Sequence, residues 1–294
     1  LIRDWFTQKK NYATIPSPNA KHDIPEGLVH KCPSCGHIHF AHEWEENANV
    51  CNSCGFHRSV DAMWRLRLIV DEQTFVEDDA HMASGDPLGF PGYATKLEAQ
   101  REKTNMQEAL ISGCARIGGV EVGVAVLSFD FFSGSMGSVV GEKMTRAIER
   151  ATQRRIPMVF FCASGGARMQ ESVFSLMQMA KTAAALERHR REHLLSISVL
   201  TNPTLGGVTA SFAMLGDIIL AEPKAIVGFA GRIVIKQTIR EQLPDDFQTA
   251  ESNFAHGQID AVVPRGQLRA TIVRLLQLHV RTDLDIEEET PRAL

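Results

Sequence analysis

Cys32-Pro-Ser-Cys35-Gly36 and Cys51-Asn-Ser-Cys54-Gly55 are two copies of one knuckle, with fifteen residues between Cys35 and Cys51. Four thiolates in paired C-x-x-C turns meet the tetrahedral demand of one zinc ion, so residues 28–60 are read as a small zinc ribbon with Cys32, Cys35, Cys51 and Cys54 as ligands. The glycine after each pair lets the turn offer backbone N–H groups to the sulfurs. An iron site of the rubredoxin type uses similar knuckles and is the competing metal. Four sulfurs close the coordination shell and leave no position for water, so the site is structural rather than catalytic. His37, His39, His42 and His57 lie close by. With the ligand set complete, they are read as surface residues or neighbours of the ligands.

The ribbon uses only a small part of 294 residues, of which 44% are hydrophobic. The remainder is long enough for one large core. Residues 1–27, with Pro16, Pro18 and Pro25, read as an irregular leader with a short helix near Trp5. Leu1 to Lys10 mix charges with no apolar stretch, so no secretory signal is read there. No run approaches the roughly 18 apolar residues of a membrane span. Thirty-one Lys and Arg against 35 Asp and Glu give a net charge of −4, which argues against a protein that mainly coats nucleic acid. Reduced cysteines suit the cytosol, and a cytoplasmic location is expected. Cys162, in the apolar run Pro157 to Ala163, reads as a small core residue, and Cys114 receives no role.

Beyond the ribbon, residues 61–78 and 94–111 read as helices around an exposed Gly/Pro-rich loop at 79–95. A repeated grammar begins near Ala115. Val120–Phe132 reads as a strand preceded by a Gly118-Gly119 hairpin signal; Ser133-Gly-Ser-Met-Gly-Ser138 and a helix to Arg155 follow. Pro157–Ala163 is a second strand, with Ser164-Gly-Gly166 and a helix from Ala167 to His193 after it. Leu194–Thr201 is a third, followed by Asn202-Pro-Thr-Leu-Gly-Gly207 and a short helix to Leu215; Ile218–Ala221 and Ala225–Phe229 are short strands. Strand, glycine loop and helix, three times over, imply an α/β fold with a mostly parallel sheet covered by helices. The acidic tail 281–294 reads as frayed.

Three glycine loops at corresponding strand ends place a site there. A helix N-terminus offers unpaired N–H groups and a partial positive charge, and glycine admits a substrate oxygen without a Cβ in the way. These are the makings of an oxyanion hole. No GxxxxGK[ST] is present, no G-x-G-x-x-G opens the domain, and Ser164 is not in a G-x-S-x-G elbow. The three loops hold no Asp, Glu or His. Chemistry here rests on oxyanion stabilisation, with the substrate supplying the base.

At these loops the chain resembles a known family. Ser133-Gly-Ser-Met-Gly-Ser-Val-Val-Gly-Glu-Lys143, Ser164-Gly-Gly-Ala-Arg-Met-Gln-Glu171, Leu176-Met-Gln-Met-Ala-Lys181 and Pro203-Thr-Leu-Gly-Gly-Val-Thr-Ala-Ser-Phe-Ala-Met-Leu-Gly-Asp217 are similar to the carboxyltransferase β subunits of bacterial and plastid acetyl-CoA carboxylases. Ala221-Glu-Pro-Lys-Ala225, Gly228-Phe-Ala-Gly231 and the four-cysteine ribbon add to the likeness, which covers about residues 25–265. Ser133 stands where the family usually has glycine, Ile233 where it has a base and Lys236 where it has an acid.

The resemblance implies a crotonase-like (ClpP/crotonase) domain over residues 61–280 behind the ribbon. It implies transfer of a carboxyl group from carboxybiotin to acetyl-CoA, giving malonyl-CoA for fatty acid biosynthesis. The implied partners are a carboxyltransferase α subunit in an α2β2 arrangement, biotin carboxylase, and a biotin carboxyl carrier protein that brings biotin in trans. A plastid-encoded chain of this family would sit in the stroma. By the same resemblance Gly165 and Gly166 form the oxyanion hole by their backbone N–H groups. Gly206, Gly207, Ser135, Gly137 and Arg168 contact substrate, with Lys143 and Lys181 as further neighbours of its phosphates; surface charge is the other reading of Arg168, Lys143 and Lys181. One competing reading is enoyl-CoA hydration or isomerisation with Glu171 as the acid. The other is nucleic-acid binding by the ribbon through His30, Lys31 and Arg58, either alone or as a secondary activity.

Overall fold

A computed structural model describes residues 28–239 and 243–279; the expected leader, with its helix near Trp5, and the expected acidic tail lie outside the described residues. The ribbon opens with strands β1 (Val29–Lys31) and β2 (Ile38–Phe40), paired antiparallel, and a short helix α1 (Ala41–Glu46). Its small core is Trp44 with Cys32 and Cys51, all about 2% exposed or less.

The body follows. Helix α2 (Ala62–Ile69) leads to β3 (Val76–Asp78), α3 (Tyr93–Thr104), β4 (Leu110–Ile117) and β5 (Val120–Leu127). Then come α4 (Ser138–Arg154), β6 (Met158–Ser164), α5 (Val173–Arg191), β7 (Ser196–Leu205) and α6 (Gly206–Thr209). The chain continues through β8 (Ile218–Ala221), β9 (Val227–Gly228), α7 (Arg232–Ile239), α8 (Ala250–Ala255), β10 (Ala261–Val262) and α9 (Arg265–His279). Ile233 and Lys236 fall on α7, and nothing of their side chains is described.

The strands form one sheet in the order β10-β8-β7-β6-β5-β4-β3, with β9 added to β7. Every pairing from β10 to β5 is parallel; β5-β4 and β4-β3 are antiparallel. The central strands are apolar on both faces because both are covered. With a side-chain period of two, Val122, Val124, Val126, Val159 and Phe161 pack on α2 and α9 through Leu66, Ile69, Leu268 and Ile272. Ala125, Leu127, Phe160 and Cys162 face the other way, onto Met144 and Ile148 of α4 and Leu186 of α5. Cys162 is fully buried, as its apolar run requires.

Several expected boundaries move: β5 ends at Leu127 rather than Phe132, and β7 runs on to Leu205, through most of the loop expected from Asn202. The helix expected over 61–78 stops at Ile69, because Asp71 is claimed by the β4–β5 hairpin. Its carboxylate accepts the Gly118 and Gly119 N–H groups at 2.9 and 2.8 Å, and its own N–H goes to Arg116. The helix expected to run to Ile111 ends at Thr104, where Asn105 takes a left-handed cap with φ +54°, and β4 begins six residues later, at Leu110. Helix α5 starts at Val173 rather than Ala167, since residues 164–168 are held in backbone pairing with the preceding loop.

Candidate active site

Because β5, β6 and β7 run parallel, their glycine loops emerge at one end of the sheet. Backbone hydrogen bonds zip the first two loops together. Gly165 N–H donates to Ser133 O at 2.8 Å, Met136 N–H to Gly166 O at 2.8 Å, and Arg168 N–H to Met136 O at 2.9 Å. Between the second and third loops the β6–β7 register jumps, from Cys162 opposite Leu200 to Ser164 opposite Thr204. The Thr201 and Thr204 hydroxyls both close the irregularity on Cys162 O at 2.8 Å. The third loop is fixed from its far side, where Gly206 N–H donates to Phe229 O at 2.9 Å.

Gly166 and Gly206 pack directly against each other where the second and third loops meet. Gly166 has φ +115° and Gly206 φ +59°. A Cβ on Gly166 would lie 3.2 Å from Gly206 Cα and 3.4 Å from the Gly207 nitrogen. Any side chain there would cover that nitrogen. Among the described residues, the Gly207 and Val208 N–H groups have no hydrogen-bond acceptor, so they open the α6 turn as free donors. The two amides expected to be open are engaged instead: Gly165 N–H on Ser133 O, and Gly166 N–H on Ser164 Oγ at 3.0 Å. The second partner is a hydroxyl on its own rotor, the first a fixed carbonyl. Ser133 is exposed with φ +54°, a conformation glycine takes without cost.

Arg168 requires a correction. It was expected at the substrate or on the surface, yet it is 1% exposed. Its guanidinium donates to both Glu108 oxygens at 2.9 and 2.5 Å, to Ser135 O at 2.8 Å and to Ser135 Oγ at 3.1 Å. Phe131 and Phe132 present their ring faces to it. Burial opposes its charge, but Glu108 outweighs burial and raises its pKa above the usual arginine value. Ser135 therefore serves Arg168. Gly137 serves Glu171, since a Cβ there would meet Glu171 Oε1 at 2.6 Å. Glu171 is itself fully buried, accepting the Tyr93 hydroxyl at 2.7 Å and the Ser138 N–H at 2.6 Å, so it caps α4 instead of facing the loops. Lys143 is also buried rather than exposed, with Glu77 at 3.6 Å; Lys181 is half-buried and pairs with Glu142. Sequence reading could not find this network, because Tyr93, Glu108 and Arg168 lie far apart in the chain.

A cavity of about 460 Å³ lies away from the loops, against Cys114 and Arg154 at the antiparallel edge. A larger one, about 670 Å³, lies beside the third loop and is lined by Gly228, Phe229, Phe247, Gln248 and His256. Around the second loop, Met169, Val173, Phe174, Leu176 and Met177 expose an apolar face, Met169 to 80%.

In the ribbon, Cys32 Sγ lies 3.7 Å from Cys54 Sγ and Cys35 Sγ 3.8 Å from Cys51 Sγ; all four sulfurs fall within 4.8 Å of one another. Sulfurs about 2.3 Å from a tetrahedral zinc are about 3.8 Å apart, far beyond the roughly 2.05 Å of a disulfide. The donor set fits the metal. The two knuckles fold alike: Gly36 N–H returns to Cys32 O and Gly55 N–H to Cys51 O, both at 2.9 Å. His39 is buried with Nε2 3.2 Å from Cys51 Sγ, while His37 and His42 are exposed. His57 is buried where the ribbon meets the body. Its Nε2 accepts the Arg265 N–H at 3.2 Å, which leaves the proton on Nδ1, 3.0 Å from Gly55 O. Burial lowers its pKa and favours this neutral form.

A family model described as carboxyl transferase domain matches residues 62–263. The acetyl-coenzyme A carboxylase carboxyl transferase subunit beta of Paenibacillus sp. (strain JDR-2) is 58% identical over 279 residues, covering 95% of this chain and 96% of that one. The crystal structure of transcarboxylase 12S, with methylmalonyl-coenzyme A and methylmalonic acid bound, is similar with a TM-score of 0.64 at 26% identity. It covers 74% of this chain, which spans 40% of that longer chain. A Pseudomonas malonate decarboxylase hetero-tetramer in complex with malonate has a TM-score of 0.62 at 21% identity, over 81% of this chain and 94% of that one, a likeness of fold.

Proposed function

The chain belongs to the carboxyl transferase family, among the β subunits of acetyl-coenzyme A carboxylase carboxyl transferase, and on that premise we propose how its loops perform the transfer. Acetyl-CoA places its thioester oxygen where the Gly165-Gly166 and Gly206-Gly207 loops meet, and its methyl carbon gains a carboxyl group to give malonyl-CoA. The observation that carries this reading is the seating of Gly166 against Gly206, which leaves the Gly207 amide open.

Loss of a methyl proton turns acetyl-CoA into an enolate, and the charge gathers on the thioester oxygen. The Gly207 amide donates to that oxygen, and the Gly166 amide joins it when the Ser164 hydroxyl turns away. A preorganised donor of this kind is worth about 3 kcal/mol of barrier. Carboxybiotin, brought in trans on a carrier protein, supplies the carboxyl group and then a ureido nitrogen able to take the methyl proton. The protein has no need of its own base at the loops. Glu171 and Glu108, the nearest buried acids, are consumed by Tyr93, Ser138 and Arg168, which also weighs against enoyl-CoA hydration. The cavity beside Phe229 has the size of a small-molecule site and is offered for the remainder of the CoA.

The four cysteines would hold a zinc ion that closes the ribbon and takes no part in the transfer. The exposed apolar face from Met169 to Met177 adjoins the second loop and is the proposed seat of the α subunit, in an α2β2 assembly. Biotin carboxylase and the carrier protein complete the set of partners. The reading places the chain in the cytoplasm, or the stroma for a plastid-encoded form; among the described residues no helix is long and apolar enough to cross a membrane.

Gly166→Ala tests the loop assignment. The new Cβ would cover the Gly207 nitrogen at 3.4 Å. In the assembled complex kcat is expected to fall about a hundredfold, while the φ of +115° costs about 1–2 kcal/mol of stability. An undiminished kcat removes the assignment.

A further inference from the structure

We propose that the ribbon sets the position of the Gly206-Gly207 loop, and that Lys224 is a positioning residue in that link. The inference rests on the reading of this loop as part of the thioester site.

The span from Glu222 to Phe229 is gripped at one end by the ribbon and carries the third glycine loop at the other. At the ribbon end, Lys224 Nζ donates to Cys54 O at 2.9 Å, the carbonyl of a cysteine in the four-sulfur cluster. Glu222 accepts Arg265 at 2.8 and 2.7 Å and Arg65 at 2.8 Å. Arg265 in turn donates to Ala48 O at 3.2 Å and Asn49 O at 3.4 Å, in the turn before the second knuckle, and through its N–H to His57. The ribbon thus grips the span directly at Lys224 and indirectly at Glu222.

At the loop end, Ile226 O accepts the Thr204 N–H at 2.8 Å, and Phe229 O accepts the Gly206 N–H at 2.9 Å. These two carbonyls hold the strand end and the first residue of the α6 turn. The span between is short and tightly folded. Ala225 N–H turns back onto Glu222 O, and the Lys224 N–H is held by Glu251 at 2.9 Å. A shift at Lys224 has little slack to absorb it before it reaches Phe229 O. The Gly207 amide is the next N–H along from Gly206, so its aim follows. Misplacement of a reacting contact by a fraction of an ångström is felt in turnover more than in binding.

Lys224 is exposed, so its replacement leaves the core intact. Lys224→Met, assembled with the α subunit and assayed with acetyl-CoA and a carboxybiotin donor, is expected to lower kcat about fivefold, with KM for acetyl-CoA unchanged. Zinc content and Tm should stay at wild-type values, and Lys224→Arg, which can still reach the Cys54 carbonyl, should restore kcat. Hydrogen exchange supplies an arm that needs no turnover: the Gly206 amide should exchange faster in Lys224→Met, with the β6 amides unchanged. Unchanged exchange at Gly206 overturns the proposal, as does an unchanged kcat in a complex whose wild type is active. Equal losses in the Met and Arg variants do the same. A wild-type complex that makes no malonyl-CoA counts against the functional reading instead, and the exchange arm still decides the positioning claim.

Discussion

Arg168 carries a full charge in a place water does not reach, and it does so because Glu108 accepts from it twice while two phenylalanine rings cover it. Removing one member of such a pair strands the other. Arg168→Ala is therefore expected to cost about 3–5 kcal/mol, read from urea unfolding. Intact stability with a raised KM for acetyl-CoA would return Arg168 to the substrate. At this scale the sequence was legible where chemistry is encoded by spacing. Two C-x-x-C pairs announce their sulfurs to one another across a short loop. Arg168 was not legible, since Glu108 lies 60 residues away and Tyr93 lies 75. The glycine pairs were legible as loops gathered at one end of the sheet, but which amide stands open depends on Ser133 O and Ser164 Oγ, and only the folded backbone places those.

Glu222 ties together elements that the chain order keeps apart: Arg65 comes from α2 and Arg265 from the start of α9, which also holds the ribbon. Burial pushes its carboxyl up, but the two guanidiniums outweigh burial and hold it at about 2, against an ordinary 4.5. A carboxyl depressed on folding stabilises the protein above its unfolded pKa, and that stability is lost as pH falls through the folded value. Between about pH 4.5 and 2 the wild type should lose on the order of 3 kcal/mol through this group. Glu222→Gln should be less stable at neutral pH, because two buried arginines lose their acid, and should lack this share of the acid slope. Parallel slopes in the two proteins, followed by urea unfolding across that range, would contradict the assignment. Helix and strand centres were readable from periodicity, whereas several ends were not. Helix α2 yields to the hairpin that captures Asp71, and α5 waits until the paired loop releases it. Tertiary hydrogen bonds win over local propensity at such places.

The whole molecule is a twice-covered sheet whose parallel strands deliver three glycine loops to one end, a small metal-ready ribbon clasping the far end of the third loop's support, and an apolar helix face beside the second. The parallel core was legible because strand, glycine loop and helix recur three times. The antiparallel edge was half legible: Gly118-Gly119 marked its turn, but β3 lies inside the helix expected over 61–78, and only the first two residues of β4 fall at the end of the helix expected to reach Ile111. An exposed apolar face beside the second loop suits a β subunit that works with a partner subunit. The most direct measurement is malonyl-CoA formation from acetyl-CoA and a carboxybiotin donor, by this chain alone, by the α subunit alone and by the two assembled. Product from the assembled complex only is the predicted result. No product from a correctly assembled complex, or turnover of an enoyl-CoA by this chain alone, would contradict it.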